Sequence, residues 1–194
     1  ILTASGDNTA RIWDAATGKQ LVTLEGHTDD VSQATWSTDE SKILTKGCDE
    51  RKENTCIRSA ARIWDAATGK QLVTLEGHTS WVYQATWNAD ESKVLTASGD
   101  NTARIWDAAT GKELIKFAGH TGDVNQATWS ADDSKILTAS ADNTARIWDA
   151  DTGKELVTLE GHTGDVGQAT WSADESKILT KGCDERKENT CIRS

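Results

Sequence analysis

The chain repeats itself at a nearly fixed interval, and this repeat limits what it can fold into. The segment TARIWDAATGKQLVTLEGH, which ends at His27, returns in closely similar form ending at His78, His120 and His162. The last three histidines are 42 residues apart, whereas the first two are 51 apart because of an insertion. A unit of about 40 residues buries its apolar faces only by stacking on copies of itself. The sequence therefore predicts a repeat architecture with incomplete first and last units.

Each unit has the pattern of four short strands. In the second unit, the runs 30–36, 42–47, 60–65 and 70–78 are rich in β-forming residues. Polar turns such as STDES and DAATG separate these runs, and no helical period of any length is present. Four antiparallel strands with two apolar faces form a sheet that stacks radially, as the blade of a propeller does. The predicted fold class for residues 1–194 is all-β, a β-propeller of four-stranded antiparallel blades.

Every unit also carries a Gly-His pair and a Trp-Asp pair in the same register. The Gly-His pairs end at His27, His78, His120 and His162, and the Trp-Asp pairs begin at Trp13, Trp64, Trp106 and Trp148. One such combination is weak evidence, whereas four in register are strong evidence. On these motifs the whole chain resembles the WD-repeat β-propeller family.

The resemblance implies a structural tetrad in each blade. Its members are a His before the first strand, a Ser or Thr in the second, an Asp in the next turn and the Trp of the third strand. Two units match in full, with His78, Thr96, Asp100 and Trp106, and with His120, Thr138, Asp142 and Trp148. A third matches with the insertion between its Asp and its Trp, at His27, Thr45, Asp49 and Trp64. The end units are incomplete, with Thr3, Asp7 and Trp13 in the first and His162, Thr180 and Asp184 in the last.

We expect the tetrad side chains to satisfy one another's hydrogen bonds. An indole N–H needs an acceptor, a hydroxyl both donates and accepts, and a carboxylate fixes the imidazole tautomer. Catalytic sites use similar residue types, but this set recurs in every unit, whereas an active site occurs once. The sequence supplies no activated nucleophile, metal cluster or phosphate loop. We therefore predict a protein that is not an enzyme and that needs no cofactor or metal.

The insertion is the first departure from the repeat. Its sequence KGCDERKENTCIRS occupies residues 46–59 and recurs unchanged at 181–194. It replaces a short turn by a predicted charged loop, 48–56 in one copy and 183–191 in the other. The ends of these loops carry the four cysteines of the chain, Cys48, Cys56, Cys183 and Cys191.

The spacing of these cysteines leaves three interpretations open. A disulfide across each loop contributes about 2–3 kcal/mol by the loop-entropy relation, provided that the geometry allows it. Free thiols are the second interpretation. A metal site is the third, although a cysteine pair with seven residues between its members and no nearby second pair matches zinc sites poorly.

Trp81 and Tyr83 are the second departure. The equivalent positions in the other units are Asp30 and Ser32, Asp123 and Asn125, and Asp165 and Gly167. The resemblance implies that these positions open the first strand near the top rim of the central channel, on the face that carries the insertions. Two rigid aromatic residues there predict either a binding anchor or packing against the neighbouring blade. Lys46 and Lys181, which replace Ala at the base of each insertion, are the other predicted binding residues.

The charge balance narrows the class of partner. A net charge of −10 and a pI near 4.8 disfavour nucleic acid, and no apolar run is long enough to cross a membrane. We therefore expect a protein or peptide partner, together with self-association or a longer chain that completes the ring. We expect a protein of the bacterial cytoplasm if its cysteines are reduced. Oxidised cysteines would instead indicate an extracytoplasmic protein.

The number of units leaves the assembly and the function open. The chain holds about four blade equivalents, and propellers of this family usually have about seven or eight. Two chains could form an eight-bladed ring, the chain could be part of a longer protein, or it could be a four-bladed monomer. The leading functional hypothesis is a non-catalytic protein-interaction scaffold that binds through its top face. The alternatives are a self-assembling structural protein, natural or designed, and the sensor segment of a larger bacterial signalling protein.

Overall fold

A computed structural model describes residues 1–53, 55–182, 185–187 and 190–192, and every regular element in these ranges is a β-strand. The described strands are β1 Leu2–Ala4, β2 Thr9–Trp13, β3 Gln20–Glu25, β4 Val31–Trp36, β5 Lys42–Lys52, β6 Thr55–Asp65, β7 Gln71–Leu75, β8 Val82–Trp87, β9 Lys93–Ser98, β10 Thr102–Asp107, β11 Glu113–Ala118, β12 Val124–Trp129, β13 Lys135–Ser140, β14 Ala145–Asp149, β15 Glu155–Leu159, β16 Val166–Trp171, β17 Ile178–Gly182, β18 Glu185–Lys187 and β19 Thr190–Ile192. No helix that could span a membrane occurs in the described part of the chain.

The strands form consecutive antiparallel sheets in chain order. Three complete sheets contain four strands each, β4–β7, β8–β11 and β12–β15, and we call them sheets 2, 3 and 4. Among the described residues, sheet 1 contains β1–β3 and sheet 5 contains β16–β17, and β18 and β19 pair as a separate two-stranded sheet. The repeat and its all-β fold class are therefore confirmed, with one sheet for each sequence unit.

The apolar core lies between neighbouring sheets. Leu44, Ile63 and Leu75 of sheet 2 pack in one buried cluster with Val94 and Trp106 of sheet 3. Equivalent clusters join sheet 1 to sheet 2 and sheet 3 to sheet 4. The indole of each third strand thus covers the apolar face of the preceding sheet, which explains why one unit alone cannot bury its own faces.

Glutamine side chains also join the first strands of successive sheets. Gln33 donates from Nε2 to the carbonyl oxygen of Ala85 at 3.0 Å. Oε1 of Gln84 accepts from the Ala127 N–H at 3.1 Å, and the equivalent bond from Ala169 to Gln126 is 2.8 Å long. These bonds use backbone groups at the inner edge of each sheet, where no further strand pairs with them.

The two ends of the array stay open. Ile1 is 65% exposed, whereas its sequence equivalent Ile136 is fully buried. Leu179 is 73% exposed, whereas its equivalent Leu44 is 1% exposed. In the described chain, the outer faces of the first and last sheets are therefore uncovered. A closed four-bladed monomer would cover both of these faces.

The insertion at residues 46–59 differs from the predicted loop, because β5 and β6 continue through it as a paired hairpin. The backbone ladder pairs Cys48 with Ser59 and Lys52 with Thr55, and two register shifts absorb the irregularity. A disulfide joins Cys48 to Cys56, whose Cα atoms are 5.9 Å apart. The charged segment has no apolar core of its own. Its two antiparallel strands are held together by the backbone hydrogen bonds between them and by the disulfide. The predicted disulfide of the second insertion joins Cys183 to Cys191, and Cys183 lies outside the described residues.

Candidate functional site

The structure brings the four side chains of each complete tetrad together. In sheet 3, His78 Nδ1 lies 2.8 Å from Asp100 Oδ2, and His78 Nε2 lies 2.7 Å from Thr96 Oγ1. Trp106 Nε1 donates to the same hydroxyl at 2.8 Å. Because a carboxylate only accepts, we assign the proton to Nδ1, and the threonine hydroxyl then donates to Nε2.

The same contacts recur in the sheets on either side. Sheet 4 has distances of 2.8, 2.7 and 2.8 Å among His120, Asp142, Thr138 and Trp148. Sheet 2 has distances of 3.0, 2.8 and 2.8 Å among His27, Asp49, Thr45 and Trp64. In sheet 1, Trp13 donates to Thr3 at 2.8 Å, and in sheet 5, His162 Nε2 lies 2.8 Å from Thr180. Asp184 lies outside the described residues.

An arginine completes the network in sheet 3. Arg104 donates to Asp100 at 3.0 Å and to Glu113 at 2.8 Å. Burial raises the pKa of Asp100, but the hydrogen bonds from His78 and Thr102 and the charge of Arg104 outweigh it, so the pKa lies well below its usual range. Burial lowers the pKa of His78. At neutral pH the network therefore holds a neutral imidazole between a hydroxyl and a carboxylate, in an arrangement that ties strands together.

Sheet 2 holds its tetrad aspartate in a different way. In sheet 3, the N–H and the hydroxyl of Thr102 donate to Asp100 at 3.1 and 2.5 Å within a tight turn. Asp49 lies instead within β5, next to the disulfide-bonded Cys48. Arg62 donates to Asp49 at 2.9 Å, as Arg104 does to Asp100. The inserted hairpin therefore leaves the sheet directly at the tetrad.

Tyr83 occupies a β-bulge at the start of sheet 3. The ladder between β8 and β9 pairs Val82 with Ser98 and Gln84 with Ala97, so that Tyr83 is the extra residue. A bulge re-aims its side chain, and the Tyr83 hydroxyl reaches sheet 4, where it donates to Asp123 Oδ2 at 2.7 Å. Burial, followed by the bond to this carboxylate, raises the pKa of Tyr83 to about 12. The side chain remains 39% exposed, so that it packs against the neighbouring sheet and also faces solvent.

A glycine makes room for this ring. A Cβ atom at Gly99 would lie 3.0 Å from the Tyr83 hydroxyl and 2.9 Å from Ser80 Oγ. In the next unit, Asn125 and Ala141 stand at the positions of Tyr83 and Gly99. Sequence reasoning singled out Tyr83 but missed Asp123 and Gly99 as its neighbours. The sequence did contain a signal for the Gly99 contact: Tyr83 occurs together with Gly99 in one unit, whereas Asn125 occurs together with Ala141 in the next.

Trp81 lies at the same level as the base of the inserted hairpin. The carbonyl oxygen of Trp81 accepts from the Gly99 N–H at 2.9 Å, and that of Asp30 accepts from the Cys48 N–H at 3.1 Å. The equivalent bond in sheet 4 joins Asp123 to Ala141 at 2.9 Å. We call this end of the sheets the upper rim, defined by Asp30, Trp81, Asp123 and the hairpin at residues 46–59. Trp81 itself is half-buried.

An open cavity lies between the hairpin and sheet 3. Its volume is about 270 Å³. Sheet 2 contributes Asp49, Arg58, Ser59, Ala60 and Glu76 to its lining, and Gly77 and His78 complete it. The hairpin and the loop that leads to Trp81 are therefore neighbours along the rim.

The two predicted binding lysines differ in their surroundings despite identical flanking sequence. Lys46 is buried and donates from Nζ to the Ser32 hydroxyl at 2.9 Å. Burial lowers the pKa of Lys46. Lys181 is exposed, because no further sheet of the described chain packs against sheet 5. In the described chain, Lys46 is thus engaged inside its own sheet, and only Lys181 is presented to solvent.

Comparisons with known proteins agree with this architecture. Residues 18–52, 69–107 and 111–149 match the family described as WD domain, G-beta repeat, and these matches cover more than half of the chain. WD repeat and SOCS box-containing protein 1 of Homo sapiens is 33% identical over 99 residues, which are 50% of this chain and 22% of that protein. The serine-threonine kinase receptor-associated protein of Gallus gallus is 33% identical over 96 residues, 49% of this chain and 25% of that protein. The chain thus spans about a quarter or less of these relatives.

A solved structure shows the same fold. The computationally designed Ika8 protein superposes with a TM-score of 0.78 at 24% identity. The superposition covers 94% of this chain and 52% of that chain.

Proposed function

Since this chain belongs to the WD domain, G-beta repeat family, whose members generally act as protein-interaction scaffolds, we propose that it binds a protein or peptide partner at its upper rim. The observation that carries this proposal is the exposed ring of Tyr83, anchored by its hydroxyl to Asp123. A ring that is already fixed loses little conformational freedom when a partner covers it.

The residues around Tyr83 also support the upper rim as the binding surface. Trp81 stands two residues away, and the stapled hairpin borders the adjacent cavity. All these features depart from the repeat, and together they occupy one end of two neighbouring sheets. Aromatic residues that are fixed and partly exposed are common binding hot spots. The rest of the repeat supplies the rigid support.

Peptide selection tests the proposal. A displayed peptide library is selected on the chain, and the affinity of the selected peptides is measured for variants. Trp81→Asp with Tyr83→Asn gives sheet 3 the residues that sheet 4 already carries at these positions, so the fold is expected to persist. We expect this variant to lose at least about tenfold in affinity, the loss of one buried aromatic anchor.

Leu72→Ala is the matched control, because Leu72 is an exposed apolar residue on an outer strand of sheet 2. We expect it to bind the selected peptides as the unaltered chain does. Equal binding by the rim variant and the unaltered chain would exclude the upper rim as the binding surface.

Self-association is a second candidate function, and the open end sheets favour it. Ile1 and Leu179 are exposed, whereas the equivalent residues Ile136 and Leu44 are buried between neighbouring sheets. A second copy of the chain offers the matching surface at each end. Native mass spectrometry over a range of concentrations tests this candidate. A mass of two chains supports it, and a monomer at every concentration excludes it.

The disulfide supports an oxidising location for the protein. Bonds of this kind persist outside the reducing cytosol. Alkylation of the protein as it is isolated, before any reduction, tests this location. Modified Cys48 or Cys56 would contradict it.

A further inference from the structure

Lys46 of sheet 2 is a buried lysine inside the array. It lies in β5, where its ladder partners are Gln33 and Ala61. The other complete sheets carry Ala97 and Ala139 at this position, and both are fully buried. Lys46 is also buried, with 9% of its surface exposed. A lysine side chain thus occupies a position at which the repeat otherwise has a methyl group.

The side chain of Lys46 lies at the boundary between sheets 2 and 3. Its cross-strand neighbour Ala61 and Leu44, two residues before it, both belong to the buried cluster that joins these sheets. Strand residues two apart share a face, so the stem of Lys46 lies on the same face. Its Nζ donates to the hydroxyl of Ser32, the exposed extra residue of the bulge at the start of β4. The amine is therefore buried directly beneath an exposed hydroxyl.

This boundary supplies no carboxylate for the amine. Burial is the cause that lowers the pKa of Lys46, and no carboxylate of the described residues pairs with it. At the next boundary, the bulge residue Tyr83 reaches Asp123. The position equivalent to Asp123 at the boundary of Lys46 is occupied by Trp81. An uncharged indole thus stands where the neighbouring boundary has a carboxylate.

A buried ammonium without a counter-ion tends to lose its proton, because burial penalises the charged form. The neutral amine of a lysine is a nucleophile that attacks carbonyl carbons. The imine that forms by this attack carries no charge, so burial does not penalise it in the same way. Its nitrogen accepts a hydrogen bond, and the Ser32 hydroxyl can rotate to donate one. The surroundings of Lys46 therefore suit an imine better than an ammonium.

From this geometry we infer that Lys46 is a covalent binding site for small neutral aldehydes. The lone pair of Nζ attacks the carbonyl carbon of the aldehyde and forms a carbinolamine. The carbonyl oxygen then leaves as water with both hydrogens of the neutral amine, and a double bond forms between Nζ and the aldehyde carbon. No oxidant or reductant is needed. The reaction does not depend on the peptide binding proposed above.

The surroundings of the amine limit the class of aldehyde. The approach to Nζ passes Ser32, and the stem of Lys46 is enclosed between two sheets, so a small aldehyde fits better than a bulky one. Asp29 and Asp30 precede Ser32 closely in the chain, and the net charge is −10. This negative charge disfavours the approach of an anionic aldehyde.

Trapping with acetaldehyde and cyanoborohydride tests the site, because the reductant converts each imine into an ethylamine that mass spectrometry locates. Lys46 and Lys181 both lie in the sequence KILTKGCDER. The measurement therefore uses Lys181→Ala, which makes the two peptides differ in mass. At neutral pH and limiting aldehyde, we expect Lys46 to be modified before Lys70, although Lys70 is exposed.

Two variants of Ser32 with side chains of equal size separate the effect of charge from that of access. Ser32→Asp places a carboxylate beside the amine and holds it as an ammonium. We expect this variant to reduce the modification of Lys46 to the level of Lys70 or below. Ser32→Asn is the neutral control, and Asn125 already stands at this bulge position in sheet 4. We expect it to keep Lys46 as the first lysine modified.

Three results would overturn the inference. The first is slower modification of Lys46 than of Lys70 when Ser32 is present. The second is equal modification of Lys46 in Ser32→Asp and Ser32→Asn, because the missing counter-ion would then have no effect. The third is an unchanged rate of the first ethyl addition, measured on the intact mass, in Lys46→Ala. Circular dichroism checks that each variant is folded, and none of these results bears on peptide binding at the upper rim.

Discussion

The hydroxyl of Tyr83 donates a hydrogen bond to Asp123 across the boundary between sheets 3 and 4. In the following unit, Asn125 occupies the same bulge position, and its Nδ2 donates to the Val166 carbonyl oxygen of sheet 5 at 3.0 Å. In sheet 2, Ser32 at this position pairs with Lys46 of its own sheet instead. The bulge residue is therefore a variable link on a constant scaffold, and in sheet 3 this link leaves an aromatic ring exposed.

The first prediction concerns the ionisation of Tyr83. Tyr83 is the only tyrosine of the chain, so the near-ultraviolet absorbance of phenolate reports this residue alone. We expect a pKa of about 12, because the phenolate would form in a partly buried place beside the Asp123 carboxylate. Asp123→Asn should bring the pKa back toward the ordinary value near 10. A folded chain that titrates near that value without the substitution would contradict the contact.

The second prediction concerns the space beneath the Tyr83 ring. Gly99→Ala should lower the free energy of unfolding by about 1–2 kcal/mol, because its Cβ would crowd the Tyr83 hydroxyl. Adding Tyr83→Asn should remove the part of this cost that comes from the ring, because Asn and Ala coexist in sheet 4, whereas the contact of the new Cβ with Ser80 Oγ remains. Denaturant unfolding of the two single variants and the double variant measures the coupling. Strictly additive effects would show that the ring and the glycine do not interact.

These contacts show what the sequence could and could not predict. The period of the repeat predicts the stacked sheets, because each unit must bury the same two faces. The bulge at Tyr83 and its reach to Asp123 depend on how two sheets are offset, and no pattern within one unit encodes that offset. The hairpin at residues 46–59 was predicted as a loop because its sequence lacks alternating apolar residues. Its strands depend on backbone pairing and on the covalent link between Cys48 and Cys56.

The third prediction concerns acid stability. Burial lowers the folded-state pKa of His78 and His120, so below the unfolded value of about 6.5 the unfolded chain binds protons that the folded chain does not. The free energy of unfolding should therefore fall as the pH decreases from 7 toward 5. The pKa of Asp142 is lowered to about 2, so the stability that its carboxylate contributes is lost only when the pH falls below about 4. Denaturant unfolding at several pH values measures the trend.

The control for this trend is the double variant His78→Gln with His120→Gln. It should be less stable at neutral pH, and its stability should vary less between pH 7 and 5. A chain that gains stability on acidification over this range would show that the two imidazoles are charged in the folded state.

The fourth prediction concerns the hairpin staple. Cys48→Ser with Cys56→Ser should lower the free energy of unfolding by about 2.5 kcal/mol, because the short loop that the bond closes is then free in the unfolded chain. Ser59 still donates to the Gly47 carbonyl, so the base of the hairpin should persist. Unfolding under oxidising conditions, with the unaltered chain after reduction as a comparison, measures the effect. Equal stability of all three would show that the bond adds nothing.

The most direct test of the upper rim as the binding surface is a hydrogen-exchange footprint of a selected peptide on the chain. We predict that binding slows exchange at residues 79–84 and 98–101 and in the hairpin at 46–59. The turns at the opposite end of the same sheets, at residues 88–92 and 107–112, should exchange at their original rates. Protection confined to those opposite turns or to the outer strands would contradict the proposed function.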